Sequence, residues 1–129
     1  MKRLLQSFIF CLVLISGCET NHGKRLEFNN AELFYTDNVS KQQALKLGEF
    51  LVQEGSFNGP EISVQLDKNN GTYLFRMATI TGAEQNTVYV EEAKALMQLL
   101  SSEVFNNAPV NFHFCDSLMH TKMEIPFEY

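Results

Sequence analysis

Residues 62 to 80 carry the pattern that most restricts how this chain folds. Ile62, Val64 and Leu66 alternate with polar neighbours. After the polar segment DKNNG, the run TYLFRMATI alternates again, with Tyr73, Phe75 and Met77 on one face and Leu74, Arg76, Ala78 and Ile80 on the other. A period of two is the signature of a strand, because successive side chains point to opposite sides of the pleat. Asn70-Gly71 lies between the runs, and both residue types accept the positive φ of a tight turn, so the segment predicts a hairpin. A lone hairpin is marginal in water and needs an apolar partner layer.

The flanks supply that layer. SKQQALKLGEFLVQEG opens with Ser40 and has Gln43 three residues on, a capping box; Ala44, Leu47, Gly48, Leu51 and Val52 then recur at helical spacing, and Gly55 suits the C-terminal cap. Gly48 costs about 1 kcal/mol relative to Ala inside a helix, and its place suits close approach to a sheet. A second helix fits residues 88 to 105, with Ala93, Leu96, Met97, Leu100 and Val104 on one face. Upstream, LEFNNAELFYTDNV reads as strand, with Asn29-Asn30 turning a small hairpin. Downstream, VNFHFCD and LMHTKMEIPF read as another, with Pro126 placing its strand at an edge or end. The order is β-α-β-β-α-β-β with one extra leading strand if the first hairpin forms. The expected fold is an α+β two-layer sandwich, two helices on one face of a mainly antiparallel sheet, close to a split β-α-β arrangement.

The amino terminus is of another kind. Lys2 and Arg3 precede an unbroken apolar run from Phe8 to Ile15, the layout of a secretory signal; a membrane span needs roughly 20 apolar residues. Bulky Ile15 stands where ordinary cleavage wants a small residue. Ile15-Ser16-Gly17-Cys18 resembles the lipobox of bacterial lipoproteins. That resemblance implies removal of residues 1–17, a diacylglycerol on the Cys18 thiol, an acylated new amino terminus, and residues 18–25 as a short tether ahead of one domain at 26–129. Glu19, in place of the Asp that favours inner-membrane retention, implies an outer membrane with the domain facing the periplasm, or the cell surface.

Processing at Cys18 would leave 112 of the 129 residues, enough for one real core. It would remove two basic residues and no acid, taking the formal charge from −5 to −7. Such a surface argues against nucleic acid and against a polybasic grip on anionic lipid. Cys11 would leave with the signal and Cys18 would carry lipid, so Cys115 would be the one thiol of the domain, and packing rather than a disulfide would hold the fold. The segments ELFYTDNV, LGEFLVQEGSF, SVQL, YLFRM, VFNNAPV and FHFCD together resemble a small family of domains in uncharacterised bacterial lipoproteins and membrane-associated proteins, across residues 26 to 127. The resemblance implies a single domain and no catalytic residue.

Three places hold candidate chemistry. FHFCDSLMH brings His113, Cys115, Asp116 and His120 close in sequence, types that ligate transition metals or form a thiol-imidazole pair. There is no CxxC or HExxH, Asp116 falls on the opposite strand face, and a half-exposed His beside a buried thiol, both common in strands, is the simpler account of the run. YTDN at 35 to 38 precedes a helix and could hold an ion, but Asp37 and Asn38 are ordinary turn residues. Glu49, Glu54, Glu91 and Glu92 fit a solvated helix face. No phosphate loop and no cofactor motif is present. The eleven Phe suggest apolar residues on both sheet faces, with Phe34, Tyr35 and Phe75 as candidates for a binding face. The expected function is a non-enzymatic, lipid-anchored envelope protein that binds another envelope protein through its sheet face or edge, with a homodimer as a further way to cover that face. The alternatives are a small metal-binding or thiol-active protein centred on Cys115, His113 and His120, and an immunity-type lipoprotein that neutralises a toxin.

Overall fold

The computed structural model describes residues 22–59 and 61–129; the lipobox-like segment and Cys18 lie outside the described residues. Six strands, β1 (Lys24–Phe28), β2 (Ala31–Tyr35), β3 (Ile62–Asn69), β4 (Thr72–Ala78), β5 (Val110–Cys115) and β6 (Thr121–Ile125), form one sheet in the order of the chain. Helix α1 (Lys41–Glu54) joins β2 to β3, and α2 (Thr87–Glu103) joins β4 to β5 after a single 3-10 turn at Ala83–Gln85. The extra leading strand is present. Three hairpins (β1–β2, β3–β4, β5–β6) pair antiparallel, and the two helix crossovers connect parallel neighbours.

Local chemistry sets the ends of these elements. Asn70 (φ 51) and Gly71 (φ 85) make the β3–β4 turn, and Asn29 (φ 55) stands in the β1–β2 turn. Ser40 caps α1 by accepting from Gln43 N at 3.1 Å, and Gly55 closes it at φ 97. Only half of the capping box forms, because the Gln43 side chain turns instead to the Tyr73 hydroxyl. α2 starts one residue earlier than its apolar spacing suggests, because the Asn86 carboxamide oxygen accepts from Val88 N and Tyr89 N.

One sheet face takes nearly all the large apolar side chains of the strands; Phe34 and Leu74 stand on the other. Register aligns Leu33, Val64, Met77 and Phe114 in one row, and Tyr35, Leu66, Phe75 and Phe112 in the next. Leu33, Val64, Leu66 and Phe75 are fully buried there, against Ala44, Leu47 and Leu51 of α1 and Ala93, Met97 and Leu100 of α2. Gly48 lets α1 settle on the Phe28 ring, and Phe105, just past α2, stacks on Tyr73 with centroids 4.0 Å apart. Both helices therefore cover the same face. The two parallel pairs run in opposite directions, since β3 and β4 are antiparallel, yet both crossovers step the same way along the sheet. With the helices on one side, the crossovers must have opposite hands, so one departs from the right-handed rule.

Candidate functional site

The uncovered sheet face is polar and bonded to itself. On its central row Phe34, Gln65, Arg76, His113 and Glu124 lie side by side across β2 to β6. Arg76 is the hub: Nη1 donates to Gln65 Oε1 at 2.7 Å, and Nη2 donates to Met119 O at 2.9 Å and to Thr121 Oγ1 at 2.8 Å. A guanidinium supplies donors only, so the Thr121 hydroxyl accepts from Arg76 and keeps its own proton for His113 Nδ1, 2.9 Å away. With that proton donated to Nδ1, the neutral imidazole carries its own on Nε2. Glu124 Oε2 lies 3.2 Å from Nε2, off the line of a well-formed hydrogen bond, and accepts from Asn111 Nδ2 at 2.9 Å.

Electrostatics follow from this packing. Burial is the main cause that pushes His113 below its usual 6.5, the Arg76 charge adds to it, and Glu124 opposes it. Burial also raises the Cys115 thiol above its usual 9.0, partly offset by Arg76. For Asp67, burial alone would raise the carboxyl. The Thr36 hydroxyl at 2.6 Å, the Asn38 amide at 3.1 Å and Lys68 N–H at 2.8 Å outweigh it, so the group titrates below the carboxylate range. Near the β1 edge, Arg25 reaches Glu27 at 2.6 Å and Glu32 at 2.7 Å, and Ser63 donates to the other oxygen of Glu32.

The structure separates the candidate metal residues. His113 is committed to Thr121 and Glu124. Cys115 is wholly buried, with its thiol 3.6 Å from the His113 carbonyl. His120 is exposed in the β5–β6 turn, its Nδ1 3.2 Å from Asp116 Oδ2, while Asp116 Oδ1 accepts from Leu118 N and His120 N. Among the described residues no three His, Cys, Asp or Glu side chains are placed to share a metal ion. The Cys115–His120 pairing expected of a nucleophile does not form, because a turn held by Asp116 carries the imidazole into solvent. Asp37 and Asn38 serve the turn before α1, as their types suggest.

The three aromatic candidates also part company. Tyr35 and Phe75 belong to the helix-covered core, which corrects their assignment to a binding face: the strand alternation was right, but the helices lie on their side. Phe34 alone reaches the open face, half-buried beneath the His22 ring at 5.2 Å. Exposed apolar surface is concentrated elsewhere. Of the six large hydrophobic residues that stand exposed among those described, Ile80, Val88, Tyr89 and Leu118 share one end of the domain, where β4 and β5 finish and α2 begins. The sequence signal for this end was present in Ile80 and Leu118, apolar residues flanked by turn formers.

A family model, AF_1994_N, described as a family N-terminal domain, matches residues 25–126. No curated protein and no solved structure matches the chain. The match runs from the second residue of β1 to just past the end of β6 and so takes in every strand and both helices; the chain belongs to this small, uncharacterised family.

Proposed function

We propose that this chain is a lipid-anchored protein of the cell envelope, held through Cys18, that acts by binding another protein at the end of the domain bearing Ile80, Val88, Tyr89 and Leu118. The observation that carries the binding part is the concentration of exposed apolar side chains there, since such surface marks interaction sites. Both sheet edges are poorly suited to strand addition. β1 carries Lys24, Arg25 and Glu27, and β6 carries Lys122 and Glu124 with Pro126 behind it, the charged and proline-bearing edges that resist further pairing. Two acyl chains make attachment stable, and confinement to a surface raises the effective concentration of a tethered domain for a partner in the same layer.

The test has two arms. Radiolabelled palmitate fed to expressing cells is expected in the full chain and absent from Cys18→Ser; equal labelling would overturn the anchor. Crosslinking in native-host envelopes is expected to join the chain to one protein near stoichiometry, and Ile80→Ser with Leu118→Ser to abolish that product. A product unchanged by the double substitution would overturn the assignment of the binding end.

A further inference from the structure

The chain just ahead of β1 does not leave the domain at the edge of the sheet. It folds back over the open face. Gly23 makes the turn at φ +99, and a side chain there would run into the Tyr35 carbonyl, so only glycine fits both the conformation and the approach. His22 then lies over the face, its ring edge-on to Phe34 with centroids 5.2 Å apart at 66°, and its carbonyl accepts from Gln65 Nε2 at 2.9 Å. Gln65 is only 6 % exposed although no helix covers that face. Both ends of its carboxamide are used, one by His22 and the other by Arg76, so the buried amide is satisfied only with the tether in place.

From this latch we infer that the membrane surface itself lies against the open sheet face, with the helical layer turned away from it. The inference rests on the lipid anchor proposed above. Cys18 precedes His22 by four residues, and at most ~3.5 Å per residue its Cα is within roughly 14 Å of the His22 Cα. An unlatched tether would let the domain tumble; a latched one starts the short path to the lipid over this face. The chemistry of the face fits the headgroup layer. It is largely polar, and its guanidiniums are already engaged: Arg25 is ion-paired with Glu27 and Glu32, and Arg76 is hydrogen-bonded to Gln65, Met119 and Thr121. Its two large apolar strand residues, Phe34 and Leu74, are half-buried rather than projecting, so among the described residues none forms a wedge that would drive insertion.

The experiment uses the full chain, produced in a host that lipidates it and reconstituted in phosphatidylethanolamine–phosphatidylglycerol vesicles containing lipids with a nitroxide on the headgroup. Single fluorophores are placed at Glu27→Cys on the open face and at Glu49→Cys on α1; both positions are exposed, and buried Cys115 takes no label. Strong quenching at 27 and none at 49 is expected, with the difference lost in Phe34→Ala and in Gly23→Ala, which free the tether without touching the core. Equal quenching at the two positions, or a difference that survives both tether variants, would overturn the docked orientation while leaving the anchor standing. A full chain that does not associate with vesicles would overturn the anchor, and this inference with it.

Discussion

The ring of Phe28 occupies the space that the Cβ of any residue other than glycine would need at position 48. The edge strand thus meets the helix through this one ring, laid on a helix position that has no side chain of its own, and Phe28 in turn packs near Phe57 with centroids 6.1 Å apart. Gly48→Ala gains about 1 kcal/mol of helix propensity, but it must displace an aromatic ring, and overpacking costs typically ~1–3 kcal/mol. Net destabilisation of about 1 kcal/mol is expected from urea unfolding. Phe28→Leu should remove most of the penalty, giving a double-mutant coupling of about 1 kcal/mol. Additive effects would show that the two residues do not meet.

Arg76 ties β4 to β3 and to the turn before β6. Without it, the buried Gln65 oxygen and the Met119 carbonyl lose a donor, and leaving such groups unmet costs roughly 1–3 kcal/mol each when fully buried. Partial exposure of Arg76 reduces this, so Arg76→Ala should cost about 2 kcal/mol. Lysine carries the charge but lacks the forked donors, so Arg76→Lys should recover less than half. Thermal unfolding of the three proteins decides it.

His113 links stability to pH. Its folded-state pKa is depressed from the usual 6.5, so the unfolded chain binds the proton more readily. The stabilisation from neutral His113 is complete above about pH 6.5 and is lost as pH falls through the depressed value. Glu32 and Asp67 also titrate low, but their contribution is lost only at more acid pH, below the usual carboxylate range. Wild type should lose urea resistance between pH 7.5 and 5.5, and His113→Asn should lose much less over that interval. Parallel curves would remove His113 as the cause.

The thiol of Cys115 is buried and its pKa raised, both of which suppress the thiolate that reacts. The native domain should therefore resist alkylation for as long as it stays folded, with labelling appearing at the unfolding rate. Stoichiometric labelling within seconds in native buffer would revive a thiol-based activity for this site.

Legibility in the sequence followed the range of the forces involved. The Asn70-Gly71 turn, the Ser40 cap and the Gly55 stop are decided by a few adjacent residues, and all could be read directly. The element order and the two-layer arrangement followed from them. Asn86 was readable too, as a cap residue just ahead of the apolar run, but the spacing of Ala93, Met97 and Leu100 drew the helix start past it. The parallel pairing of β2 with β3, and of β4 with β5, was not readable, because it depends on how each helix returns its chain. The Tyr35 and Phe75 assignments failed for the same reason: alternation separates two faces but does not say which one the helices choose. The Arg76–Thr121–His113 chain needs the register of three strands and the irregularity at Phe114/Cys115, and the His22 contact with Gln65 spans 43 positions.

Strand order that follows chain order has a consequence for how the domain assembles. No pairing waits for a distant strand to arrive. The β3–β4 hairpin closes through a tight turn, and each further strand adds to an edge already formed, across one short turn or one helix. Closure entropy grows only with the logarithm of the loop, and chains rich in near-neighbour contacts fold fast. The central hairpin is therefore the natural nucleus, and β1 and β6 join last. On the lipid-anchored reading proposed above, this ordering would leave the amino-terminal end free longest, open to processing until β1 locks His22 and Gly23 onto the sheet.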